Sequence, residues 1–175
     1  IEHVSLREPA LGAWPNFYMT LLELVLSKPD ADAVMMLQDD VQFYDCENVR
    51  EYLDSILWPA GPPGIVSLYC SAAYTRETPR WTTADGRWEW GALAFVFPKE
   101  LAQRFVCDPQ VLQHRSTDRG LRFIDDVIGE WAERNEIPIW YPSPSLVQHI
   151  GDTSTVWPGV PAEGYRRADS FVGNP

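Results

Sequence analysis

The feature that most constrains this chain is Met35-Met36-Leu37-Gln38-Asp39-Asp40-Val41, an apolar run that stops abruptly at two adjacent carboxylates. An uninterrupted run of this length, without polar alternation, reads as a strand buried on both faces of a mainly parallel sheet. In open α/β sheets ligands collect outside the carboxyl ends of such strands. Two acids at that point either hold a divalent cation or cap the next turn.

The flanking periodicities agree with an α/β chain. Trp14, Tyr18, Leu21, Leu22 and Val25 recur at helical spacing over Trp14–Ser27, with Pro15 near the start and Lys28-Pro29-Asp30 as the stop. A strand over Ala33–Gln38 follows. Val49, Leu53, Ile56 and Leu57 define a second helix, ended by Pro59-Ala60-Gly61-Pro62-Pro63-Gly64. Ile65–Tyr69, Leu93–Phe97 and Ile137–Tyr141 read as strands, and Ser71–Glu89 as a long polar loop. Helices are expected from Pro98, carrying Leu101 and Phe105, and from Asp125-Asp126, carrying Val127, Ile128, Trp131 and Ala132. Strands alternating with helices predict an α/β domain with a mostly parallel sheet, residues 1–175 forming one domain with a tail from about 156 to 175. Only one helix precedes the acid-bearing strand, and the chain opens at Ile1. The expectation is a fragment lacking an amino-terminal part of its fold.

Charge narrows the partners. A net charge of −11 over 175 residues excludes a basic nucleic-acid surface and repels anions in general. A phosphate-bearing substrate would therefore need a bound cation or a local arginine cluster. No apolar run approaches the ~20 residues that span a bilayer. Cys46, Cys70 and Cys107 are odd in number and lack zinc-ligand spacing; reduced thiols suit a cytoplasmic setting, with a Cys46–Cys70 bridge as the alternative.

Four stretches carry candidate chemistry. Asp39-Asp40 is the first, as a hard-cation site or a turn. Asp125-Asp126, at a helix start, caps the helix or provides a general base, and the two acids can divide these roles. In Gln148-His149-Ile150-Gly151, His149 is either a packed imidazole or a further ligand to a cation already held by a carboxylate. Arg166-Arg167 are solvated charges or a local positive field for a diphosphate. Trp81, Trp88 and Trp90, in a segment rich in Thr, Arg and Gly, either plug the core or offer flat faces to a sugar ring.

Together and in this order, these stretches resemble a glycosyltransferase of the GT-A fold, closest to the N-acetylglucosaminyltransferase IV-type and lipooligosaccharide-galactosyltransferase-type enzymes. The resemblance covers roughly residues 11–155. In that family an acid-Asp-Asp triplet ends a strand; here it reads Gln38-Asp39-Asp40. The resemblance implies Asp40 on the metal, with Asp39 and Gln38 toward the nucleotide. Trp90-Gly91-Ala92-Leu93 resembles the strand lining the donor-sugar and acceptor region, which implies Trp88, Trp90 and Gly91 as substrate-binding residues. In Ile124-Asp125-Asp126-Val127-Ile128-Gly129 the resemblance makes the second acid, Asp126, the base of an inverting reaction, beside Asp125. Pro144-Ser145-Leu146-Val147-Gln148-His149-Ile150-Gly151 is the most specific match, and it implies His149 as a metal or diphosphate ligand.

The expectation is thus a Rossmann-like, nucleotide-diphospho-sugar transferase fold. Its activity would be metal-dependent sugar transfer from a nucleotide-diphosphate donor to a carbohydrate or other hydroxyl acceptor, with Mn²⁺ or Mg²⁺ as cofactor and Arg166 and Arg167 closing over the phosphates. Two rivals stand beside it. One is a two-metal phosphoesterase or nuclease, which would need more converging ligands. The other is a non-catalytic carbohydrate-binding or pseudo-glycosyltransferase domain, favoured by Gln38 and the short amino-terminal part.

Overall fold

The computed structural model describes residues 12–45, 47–58, 63–113, 123–152 and 167–173. In chain order these form α1 (Ala13–Ser27), β1 (Ala33–Leu37), β2 (Val41–Phe43), α2 (Val49–Ile56), β3 (Ile65–Ser67), a short 3₁₀ turn at Ala72–Tyr74, β4 (Arg80–Thr83), β5 (Ala94–Pro98), α3 (Lys99–Cys107), α4 (Pro109–Gln113), α5 (Ile124–Arg134), β6 (Ile139–Ser143) and β7 (Val147–His149). Pro15 falls in the first turn of α1, where its missing N–H has no helical partner to lose. Among the described residues no helix is long and apolar enough to cross a membrane.

The main sheet runs β1-β5-β3-β6-β4, and β2 and β7 form a separate pair. This corrects the expected mostly parallel sheet. Only β3 and β6 run parallel; β1/β5, β3/β5 and β4/β6 are antiparallel. β1 lies at an edge rather than in the centre, and Leu37 at its end is 46% exposed.

The misreading has a physical cause. Unbroken apolar runs report burial on two faces, not strand direction, and this antiparallel sheet is covered on both sides. Val34, Met36, Phe95, Phe97 and Ile65 face one core with α1, α3 and α5; Ala33, Met35, Ala94, Val96 and Val66 face a second core with α2 and Leu146-Val147. On the first side Tyr18 donates to the Val106 carbonyl at 2.7 Å, tying α1 to α3.

α5 approaches the segment before β5 as closely as a helix can. A Cβ on Gly129 would sit 2.0 Å from the Trp88 carbonyl oxygen. That contact sets the depth of α5, and hence of Asp125 and Asp126 at its start.

Candidate functional site

The acid-bearing turn is built by two long-range pairings. The Gln38 N–H donates to the Leu93 carbonyl at 3.0 Å, carrying the β1/β5 alignment one residue past the strand. Asp39 and Asp40 then turn the chain into β2, which pairs with β7 so that Val41 lies opposite His149. The Ile150 N–H closes this corner on the Asp40 carbonyl at 2.9 Å.

The register brings two predicted site residues into contact. His149 Nε2 lies 2.9 Å from Asp40 Oδ2. With Nε2–H donated to the carboxylate, Nδ1 of a neutral imidazole is a bare lone pair. His149 Nδ1 and Asp40 Oδ1 are both buried and have no hydrogen-bond partner among the described residues. Gly151 makes room for them, since a Cβ there would lie 2.8 Å from Asp40 Oδ2 and 3.0 Å from His149 Cε1. Asp39 is exposed and stands outside this contact.

A carboxylate oxygen and an imidazole nitrogen 2.9 Å apart are close enough to share one cation, which would replace the hydrogen bond between them and complete its shell with water and ligand oxygens. Among the described residues no group of three or more His, Cys, Asp or Glu side chains gathers to hold a metal. Among the described residues, Asp40 and His149 are the pair that could contribute to holding a cation.

The second acid pair reaches the same end of the sheet. Asp125 Oδ2 accepts the Gly91 N–H at 3.0 Å, and its Oδ1 accepts the Asp126 N–H at 3.2 Å. Gly91 lies two residues before Leu93, whose carbonyl holds Gln38. Three contacts, His149 to Asp40, Gln38 to Leu93 and Gly91 to Asp125, thus fall on neighbouring short segments at this end of the sheet. Burial raises Asp125 to a pKa of about 6, the Gly91 hydrogen bond opposes the shift, and the neighbouring Asp126 charge adds to it.

Asp126 occupies different surroundings. It is part-exposed, with Arg87 Nη2 3.5 Å from its Oδ1; the same Arg87 atom lies 3.0 Å from Glu130. The expected cap is not formed: the N-cap of α5 is Phe123, with no side-chain cap bond, and Asp125 instead accepts the Gly91 N–H while Asp126 lies beside Arg87.

The aromatic expectation needs correcting. Trp88 is 1% exposed and stacked on Tyr74, with ring centroids 4.4 Å apart, so it offers no face to a ligand. It plugs the core beneath the long loop. Trp90 is 52% exposed and keeps a free face. Gly91 acts through its backbone: φ is +129°, and a Cβ would meet the Trp88 ring at 2.9 Å and the Tyr69 ring at 3.1 Å.

Arg166 lies outside the described residues. Arg167 is half-exposed and pairs with Asp152 at 3.2 Å, one residue beyond the Gly151 contact. Sequence reasoning missed Arg87, the cation beside Asp126, because nothing local marks an arginine in a polar loop as the partner of a helix. It also missed the part played by Gln148, whose side chain bonds three backbone groups of Ala168 and His149.

No protein-family model matches this chain, and no curated protein matches it. The functional reading rests on the geometry and on the motif resemblance.

Proposed function

We propose that this chain is a glycosyltransferase domain of the GT-A kind. It would transfer a sugar from a nucleotide-diphosphate donor to a hydroxyl acceptor, with inversion at the anomeric carbon. The observation that carries this reading is the Asp40–His149 contact at a strand end, with a buried, unsatisfied atom on each residue. The Asp125-Asp126 helix start lies along the same end of the sheet.

Asp40 and His149 would hold Mn²⁺ or Mg²⁺, which when bound supplies the positive charge that a departing diphosphate requires. On an acidic chain that charge also offsets the repulsion of an anionic donor. Arg167 contributes a second positive group near the same corner, and Asp39 and Gln38 lie on the nucleotide side. Asp126 takes the proton of the acceptor hydroxyl as that oxygen bonds to the anomeric carbon; the bond to the diphosphate breaks, and the nucleoside diphosphate leaves with the electron pair. Asp125 holds Gly91, and through it the loop carrying Trp90, whose open face suits a sugar ring. Free thiols at Cys70 and Cys107 fit a reducing, cytoplasmic setting.

The carbohydrate-binding alternative drew on the tryptophan-rich loop. Burial of Trp88 removes it from the stacking surface under either reading, and the Asp40–His149 contact is what favours the transferase.

Calorimetry with Mn²⁺ and uridine diphosphate tests the reading. Nucleotide binding is expected only when Mn²⁺ is present, and His149→Ala should weaken Mn²⁺ at least about tenfold, the usual effect of losing one ligand contact. Absence of binding for uridine, guanosine and cytidine diphosphates, with and without metal, would sink it. Asp126→Asn should abolish transfer while leaving nucleotide binding intact.

A further inference from the structure

The segment Arg167–Gly173 is joined to the stretch leading into β7 by backbone pairing at Ser145 and to β7 itself by the Gln148 side chain. Ser145 N–H donates to the Ser170 carbonyl at 2.8 Å, and Val172 N–H donates to the Ser145 carbonyl at 3.0 Å. Ala168 and Phe171 are buried against the body.

Nearer the site, a side chain takes over from the backbone. Gln148 Nε2 donates to the Ala168 carbonyl at 3.1 Å, and its Oε1 accepts the Ala168 N–H at 2.8 Å. The same Oε1 accepts the His149 N–H at 3.1 Å. One buried primary amide thus imitates a strand's paired N–H and C=O toward Ala168 while holding the peptide of the neighbouring histidine. An amide is the side chain that can both donate and accept in this way at any ordinary pH.

The consequence falls on Arg167. Its backbone is fixed by the clasped residue Ala168, and its guanidinium rests on exposed Asp152. Asp152 follows Gly151, where an added Cβ would lie 2.8 Å from Asp40 Oδ2 and 3.0 Å from His149 Cε1. An exposed ion pair of this kind is weak and readily exchanged for a doubly charged anion.

We infer that Gln148 is a positioning residue that clasps Ala168 to the His149 strand, holding Arg167 ready to exchange Asp152 for the diphosphate of a nucleotide bound at Asp40 and His149. This rests on the transferase reading of that site. It adds a division of labour in which His149 and Arg167 are set by one amide.

The test is a double-mutant cycle on uridine diphosphate affinity at saturating Mn²⁺. Gln148→Leu and Arg167→Ala should each weaken the nucleotide about tenfold, the order expected for a lost charge-assisted contact. The double variant should be no weaker than either single one, because both remove the same contact. Mn²⁺ affinity of Arg167→Ala should stay within about twofold of the parent, and because Gln148→Leu also frees the His149 N–H, each Gln148 variant is compared at an Mn²⁺ concentration that saturates that variant.

Gln148→Glu is a second variant, because an ionised glutamate still accepts the Ala168 N–H but faces the Ala168 carbonyl with no proton to donate. If Gln148→Leu does not fold, the Glu variant near neutrality takes its place in the cycle. Additive losses, or unchanged nucleotide affinity in the Gln148 variants beside a weakened Arg167→Ala, overturn the clasp alone. A parent protein that binds no nucleotide with Mn²⁺ overturns the site reading, and the clasp with it.

Discussion

Asp125→Asn is a substitution whose effect can be worked out from the structure. The side chain keeps its shape but loses a charge that the fold disfavours. Asp125 has an ordinary carboxyl pKa of 3.8 when unfolded and about 6 in place, raised chiefly by burial. A group with a raised folded pKa binds its proton more tightly in the native state. Its contribution to stability is therefore fully present below the unfolded pKa and is lost as pH rises through about 6. A shift of about two units at ~1.4 kcal/mol each gives ~3 kcal/mol between those limits, and solvent at the open side of the carboxylate makes this an upper bound. Asparagine escapes that loss. Its oxygen can still accept the Gly91 N–H, but its amino group then faces the Asp126 N–H, at a cost of ~1 kcal/mol. Asp125→Asn should therefore be more stable than the parent by up to ~2 kcal/mol above neutrality, with the difference crossing zero at about pH 4.5 and reversing to ~1 kcal/mol at lower pH. Urea denaturation followed by tryptophan fluorescence at several pH values measures it, and all other titrating groups cancel between the two proteins. A variant less stable than its parent at neutral pH, or a difference that does not change on acidification, would refute the reasoning.

Three further outcomes follow from the packing. Gly129→Ala places a methyl group against the Trp88 carbonyl, where 2.0 Å is available; the backbone has to move, and a loss of ~1–3 kcal/mol or more is expected in the same denaturation assay. Trp88→Ala should cost ~3–5 kcal/mol because the ring is wholly enclosed, whereas Trp90→Ala should stay within ~0.5 kcal/mol and lower sugar affinity alone; equal stability losses would contradict the assigned environments. Arg87→Ala removes a cation shared by Asp126 and Glu130, each about one third exposed; a loss under ~1 kcal/mol, diminishing in high salt, is expected, and a larger one would mark the pair as structural.

How far the sequence carried depended on how local each signal was. α1, α3 and α5 were legible because 3.6-residue periodicity is written within each helix, and their starts match the predicted ones to within a residue. Strand positions were legible, but their directions were not, since Val34–Leu37 looks the same whether its neighbour runs with it or against it. β4 was lost in the Ser71–Glu89 loop: Arg-Trp-Thr-Thr has little apolar content and becomes a strand by pairing with β6. β2 and β7 are three residues each and exist only through each other. Asp40 and His149 were legible as candidate residue types, and the structure brings the two into contact. The separation of Asp125 from Asp126 was not legible, because adjacent acids of equal intrinsic chemistry acquire different roles only from the Gly91 peptide and Arg87 around them.

The edge position of β1 has one consequence of its own. Among the described residues this strand is paired through β5 alone, so the peptide groups along its other side face outward from the sheet. Such a border is a template for another strand, and pairing there proceeds residue by residue at a spacing of ~4.8 Å. The acidic turn begins directly after Leu37. Any chain that adds itself to this border stiffens the strand immediately before Gln38, Asp39 and Asp40. Assembly at the margin of the sheet and order in the acidic turn are thus linked through the same five residues.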